Sequence, residues 1–410
     1  MAGLIANPSP FEAALEADFT ARSAKNEAQA AAFDRFAKLR LPNRRVEGWK
    51  WSDMNAALRS VEPGERVEAE IKPSAFAALD PLEFRIINGR IELPDEPISE
   101  GLRYGVVNPV ATISELENHP MASLNVALAR KALGFEVSDD IAFERPVLIR
   151  HINNGAGFSF AQTMMRISPG ARLRLIETYE GEGAGFYSHL FHMVVRDGAE
   201  FRRAVWQDTG EKSVVNSILA AKIDEKADFQ STGLSTGSRL SRHECHAHFW
   251  GAGSSASINS AALVSGERHS DFTTDTQFRA EGCDVVQLHK GVAKDRGRNV
   301  FQGKFHVFRD AQKTDAKMAA NALLLSDGAE ANHKPELEIY ADDVECAHGS
   351  TVGALDEDAL FYLRQRGLDE AAARALLIEA FVGEVVEKFE DEALRDIFAS
   401  LLKTWLENNE

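Results

Sequence analysis

Apolar positions in the first forty residues recur with a helical period. Phe11, Leu15 and Phe19 stand four apart, and Phe33, Phe36 and Leu39 follow in an alanine-rich stretch free of glycine and proline. Pro42 closes that pattern, so residues 1–80 are expected to form an N-terminal helical region. The segment RRVEGWKWSD (44–53) within it carries two tryptophans, which are expected to anchor a packed turn. From about residue 83 the period drops to two. LEFRIINGRIEL (82–93) predicts a strand, an Asn-Gly turn and a second strand. A short helical insertion is expected near MASLNVALARKAL (121–133), and from about 145 to 353 short alternating runs dominate.

That long stretch repeats itself. Residues that follow a turn, namely Ala171, Ala199, Ala227, Ala256, Cys283 and Ala311, are spaced 28, 28, 29, 27 and 28 apart. A fixed period of this size marks a solenoid, in which each repeat buries its apolar face only against its neighbours. A sandwich of evenly spaced antiparallel hairpins is the alternative, and the common period favours the solenoid. The expected fold is mainly β: a right-handed parallel β-helix over 81–354, with regular ~28-residue repeats from about 145, between N-terminal and C-terminal α-helical regions.

Beyond Val352 the helical period returns and defines a C-terminal helical domain over 355–410. DEDALFYLRQRG (356–367) is one helix stopped by Gly367, and Asp369 is the N-cap of the next, which runs to Val386. Leu394, Ile397, Phe398, Leu401, Leu402 and Trp405 then form a broad apolar stripe. It either caps the end of the solenoid or docks a partner.

Composition narrows the class. No apolar run approaches the ~18 residues of a membrane span, and the start of the chain lacks the basic and apolar regions of a secretory leader. Three cysteines, Cys245, Cys283 and Cys346, make no disulfide framework and point to a reducing, cytoplasmic setting. A net charge of −17 argues against nucleic acid as a partner.

Three stretches carry candidate chemistry. GRNVFQGKF (297–305) resembles a phosphate loop, but five residues separate its glycines and Phe305 stands where a hydroxyl would hold Mg²⁺. In HECHAH (243–248), strand alternation puts Glu244, His246 and His248 on one face and His243 and Cys245 on the other. Two imidazoles and a carboxylate at period two can bind a metal. The spacing matches no usual zinc pattern, however, and exposed sheet faces of solenoids carry His and Glu without binding one. Cys346 and His348, in YADDVECAHGSTVG (340–353), also share a strand face, with Cβ atoms roughly 6.5–7 Å apart. One metal could bridge them, whereas a nucleophilic dyad needs contact at about 3 Å. Two ligands make half a site.

The run AQKTDAKMAANALLLSDGAEANHKPELEIYADDVECAHGSTVGALDEDALFYLRQRGLDEAAARALLIEAF (311–381) closely resembles the SufD-type members of the SufB/SufD family. These are subunits of the SUF (SufBCD) iron–sulfur cluster assembly complex. RNVFQGKFHV (298–307), SGERHSDFTTDTQF (265–278) and RRVEGWKWSD support the resemblance. The paralogue SufB differs in the 311–381 segment and carries more cysteines. The resemblance implies a β-helix between helical ends and a non-catalytic subunit that pairs with a SufB-like paralogue through the β-helix end. It implies that the SufC ATPase docks through the C-terminal helices, which favours docking for the Leu394–Trp405 stripe or for the Asp369–Val386 helix. ATP would be used on that partner only. An iron–sulfur cluster would form transiently at the interface with SufB, and reduced flavin would be carried by the assembled complex, at a site no residue here locates. The family's Cys-x-His pair falls on Cys346 and His348, while HECHAH matches no family motif. Two competing functions are a stand-alone β-helix enzyme acting on polysaccharide or transferring acyl groups, and a HECHAH metalloprotein. The acids that such an enzyme needs in a cleft are scattered here.

Overall fold

Alternate strands of the repeat go to opposite sheets. The computed structural model describes residues 5–59, 61, 67, 71–96, 100–111 and 113–409; part of the chain start that was read for a leader lies outside them. Helices α1 (Pro10–Ala21), α2 (Glu27–Leu39) and α3 (Met54–Leu58) come first, followed by the hairpin β1 (Leu82–Ile87) and β2 (Arg90–Glu92). Its Asn88 and Gly89 are both left-handed, as the Asn-Gly turn requires. β3 (Leu102–Val107), α4 (Pro120–Leu128), β4 (Ala132–Val137) and β5 (Ala142–Ile152) lead into the repeat. The insertion helix thus ends at Leu128, and Ala132 and Leu133, the last residues expected to be helical, begin the strand Ala132–Val137 that pairs with β3.

The regular strands are β6 (Phe158–Ile167), β7 (Arg172–Gly181), β8 (Phe186–Val195), β9 (Glu200–Thr209), β10 (Val214–Ile223), β11 (Asp228–Ser235), β12 (Leu240–Phe249), β13 (Ser255–Val264), β14 (His269–Phe278), β15 (Asp284–Ala293), β16 (Arg298–Val307), β17 (Asp315–Leu324), β18 (Glu330–Ile339) and β19 (Glu345–Gly353). Odd strands from β5 to β19 stack in parallel as sheet one, and even strands from β4 to β18 as sheet two. This is the parallel solenoid, and the antiparallel sandwich is excluded.

The corner entering sheet one explains the repeat. Its penultimate residue is left-handed before each odd strand from β5 to β17, namely Asp140, Gly170, Gly198, Lys226, Gly253, Gly282 and Lys313, with φ between 53° and 67°, but not before β19. Glycine takes that conformation without strain, hence its recurrence. In the register ladder Arg172, Glu200, Asp228, Ser255, Asp284, Asp315 and Glu345 align, so the true separations are 28, 28, 27, 29, 31 and 30. The residues in Ala171's place are therefore Ser254 and Thr314, not Ala256 and Ala311. The strands hold register while the corners vary in length.

Three large apolar cores result among the described residues, beside a small cluster of Val264, Ala293 and Ala329. The coil interior is one, with Leu175, Phe201, Phe229, Phe249 and Phe305 inside it. The N-terminal helices lay Phe11, Leu15, Phe33 and Phe36 on the outer face of sheet two, against Phe186, Leu190 and Ile218. Helices α5 (Glu357–Gln365), α6 (Glu370–Val386) and α7 (Glu392–Asn408) close the chain. Ile378, Val382, Leu394, Phe398 and Leu402 cover the outer face of sheet one, against Trp206, Leu234, Leu263 and Val292. The Leu394–Trp405 stripe therefore seals a flank of the solenoid. It does not cap the end, and it is not free to dock a partner. No helix among the described residues is long and apolar enough to cross a membrane.

Candidate functional site

The two ends of the solenoid differ. At the first end, antiparallel β2 and β3 border the sheets. At the last, β18 and β19 are the outermost strands, and β19 is exposed along nearly its whole length. In β19, Cys346, His348 and Ser350 stand opposite Ala316, Met318 and Ala320 of β17, which are buried in the coil interior. Strand parity therefore puts Cys346 and His348 on the inward face of a coil that has no further coil stacked on it. Cys346 is half-buried against the interior core and His348 is exposed.

His333 of β18, opposite interior Phe301, comes to the same opening. Its Nδ1 lies 3.0 Å from Ser350 Oγ and its Nε2 3.1 Å from Asn299 Oδ1. Asn299 also hydrogen-bonds buried His289, which reaches Ser260 at 2.8 Å, so a polar ladder runs inward from the opening. Among the described residues, no hydrogen bond joins Cys346 to His348. No third His, Cys, Asp or Glu forms a three-ligand group with them either. Burial, and then the carboxylate of Asp315, push the Cys346 thiol up, so ligation there would have to release a proton.

HECHAH lies in β12, and the alternation read from the sequence holds. His243 and Cys245 face the interior, while Glu244, His246 and His248 face outward. That outer face is not an exposed one, as expected of a solenoid: the N-terminal segment covers it, and the three residues are 4%, 7% and 1% exposed. Arg242 sits 3.9 Å over the Trp49 ring and bonds Glu244 at 3.1 Å and Asp271 at 2.5 Å. Ser52 also donates to Asp271. Trp49 and Ser52 belong to RRVEGWKWSD, so that segment does anchor a packed turn. His119, the N-cap of α4, places Nε2 3.1 Å from Glu244 Oε2.

The environments of these groups differ sharply. Burial pulls His246 down, but Asp275 and Glu244 on either side raise it to about 9. Asp275 is held at about 2, its burial outweighed by His246. Burial and the neighbouring His246 pull His248 down to about 4. Burial pushes Cys245 up to about 12, which makes it an inert core thiol. A separate cluster lies wholly inside the coil, where Glu177 bonds His151 and Arg203. Burial raises the Glu177 carboxyl, but Arg203 and His151 keep it well below its ordinary range.

His333, Asp275 and His119 join these sites without standing out in the sequence pattern. Asp275 stands opposite His246 one coil on, 29 residues away, so the repeat period carried a signal for it. His119 joins from outside the repeat and had none.

The chain matches the family model described as SUF system FeS cluster assembly, SufBD core domain, over residues 150–381. It is 30% identical over 374 residues to the iron–sulfur cluster assembly protein SufD of Escherichia coli (strain K12), which covers 87% of each chain. It is 30% identical over 286 residues to the chloroplastic protein ABCI7 of Arabidopsis thaliana, covering 67% of this chain and 60% of that one. It is also 22% identical over 296 residues to SufD of Bacillus subtilis (strain 168), covering 70% and 67%.

Proposed function

The chain belongs to the SufBD family of the SUF iron–sulfur cluster assembly system, and we propose that within it the chain is a non-catalytic scaffold subunit whose open solenoid end pairs with a SufB-like paralogue. Cys346 supplies a soft thiolate and His348 an imidazole to nascent cluster or iron at that junction, and both donor types suit iron–sulfur chemistry. The observation that carries this reading is the uncapped last coil. There, inward-facing positions that are buried one coil earlier stand open, and the Cys-x-His pair is half a ligand set. A paralogue's end coil would cover the exposed edges, as a terminal repeat requires, and supply the remaining ligands. The cluster is cargo handed on, not a resident group.

The SufC ATPase docks on the C-terminal helices and converts its ATP cycle into opening or closing of the junction. The Leu394–Trp405 stripe is occupied by sheet one, which leaves Phe361 and Tyr362 of α5 and Leu376 of α6 as exposed apolar positions for that contact. The test is co-expression of the three subunits with Cys346→Ala and His348→Ala. The complex should still assemble while cluster production in cells is abolished. Full activity in the double variant would sink the proposal.

A further inference from the structure

A second ligand set stands on the covered outer face of sheet two, apart from Cys346 and His348, which face inward on sheet one. His246 and Asp275 are directly opposite each other on β12 and β14, and His248 is two residues along the same face. Nitrogen and oxygen atoms of the three lie within 4.8 Å of one another. His246 Nδ1 is 3.8 Å from Asp275 Oδ2, within the ~3–4.2 Å spanned by two ligands each about 2.1 Å from a common ion.

Without an ion the polar atoms of this group do not balance. His246 Nε2, His248 Nε2, in a residue 1% exposed, and Asp275 Oδ1 are all buried without a hydrogen-bond partner. An orphaned buried polar atom costs roughly 1–3 kcal/mol, and such atoms are uncommon enough in folded proteins to need a cause. Lys304, opposite Asp275 on β16, is engaged by Glu338 at 2.8 Å and does not fill the gap.

We propose that His246, His248 and Asp275 bind one divalent first-row transition ion through two imidazole nitrogens and a carboxylate oxygen. That donor set suits Fe²⁺, Co²⁺ or Zn²⁺ and not Ca²⁺ or Mg²⁺, which take oxygen. The side chain of Asp275 is 28% exposed, which gives the ion a way in. Behind the ligands, Glu244 faces His246 Nε2 at 3.5 Å and is itself fixed by His119 and Arg242, the carboxylate backing that metal-bound histidines use. The similar trio His151, Glu177 and His189 offers no such site, because Glu177 is already paired with Arg203 and all three are sealed in the coil.

The experiment uses the full chain without an affinity tag, stripped with chelator and titrated with Co²⁺. Calorimetry and visible d–d absorption give the readouts, with Zn²⁺ and anaerobic Fe²⁺ as competitors. One equivalent should bind, and His248→Ala and Asp275→Asn should each weaken binding about tenfold or more. Asp275→Asn is isosteric and partly exposed, so it tests the site even if His248→Ala fails to fold. The Cys346→Ala, His348→Ala double variant should bind as the parent does, which separates this site from the proposed junction. Absence of saturable binding, or binding that Asp275→Asn leaves unchanged, overturns the proposal.

Discussion

β12 and β19 each carry a cysteine and at least one histidine, yet the coil stack gives them opposite fates. β12 lies between β10 and β14, under the N-terminal segment outside and against the core inside, and all ten of its residues are buried. β19 has a neighbour on one edge only, and no residue of it is fully buried. Cys245 and Cys346 both sit at inward parity. One is a packed apolar group, and the other is a thiol at an opening. In a solenoid, then, residue type and strand face do not assign a role. Whether another coil is stacked above does.

The largest expected effect breaks this contrast through charge. Arg242→Ala in β12 leaves Glu244 and Asp271 buried without their cation, which should cost about 3–5 kcal/mol. His348→Ala in β19 removes an exposed group and should stay within about 0.5 kcal/mol. Urea denaturation of the two variants measures both. Equal losses would mean that the last coil is as sealed as the middle of the stack.

Thiol reactivity sharpens the same contrast. Cys245 and Cys283 are buried, and their thiols are pushed up chiefly by that burial, so they should react only when the coil opens. Native alkylation at mildly alkaline pH should therefore give a single adduct, on Cys346, and denatured protein should give all three. Mass spectrometry of the digest reads this directly. Labelling of Cys245 as fast as Cys346 would contradict the burial assigned to β12. On the proposed function, pairing with the SufB-like subunit should protect Cys346 as well.

The solenoid was legible because stacking coils reuse one corner geometry, so left-handed glycines such as Gly170, Gly198 and Gly282 recur near one period. Ala256 and Ala311 were misaligned because corners change length without disturbing the strands, and a count along the chain cannot see that. The α7 stripe announced that something covers it, but amphipathicity does not say what, and sheet one proved to be the answer. Alternation correctly split HECHAH between two faces. What was illegible was the cover over the outer face: Trp49, Ser52 and His119 reach β12 and its neighbour from far away in sequence. An outward His on a strand looks exposed until that cover is known.

The smallest effect concerns protons under that cover. His192 lies on the outer face of β8, in register with Ala220 and, one strand further, His246. Neither of its ring nitrogens has a partner, and burial alone pulls it down to about 4. Above pH ~6.5 the imidazole is neutral in both the folded and the unfolded chain. Between there and 4 the unfolded chain takes up a proton that the folded one refuses, so stability must fall as pH falls. Glu12 has its own, lower window. Its burial is outweighed by Arg40 and it is held at about 2, so its contribution is intact above 4.5 and fades toward 2. His192→Leu breaks no hydrogen bond and should remove roughly 1–2 kcal/mol of the stability lost between pH 7 and pH 5. Urea midpoints of parent and variant at those two pH values give the difference. An unchanged pH dependence would mean that His192 is hydrated in the folded protein, and that the cover over sheet two admits water where the burial of β12 requires it to be dry.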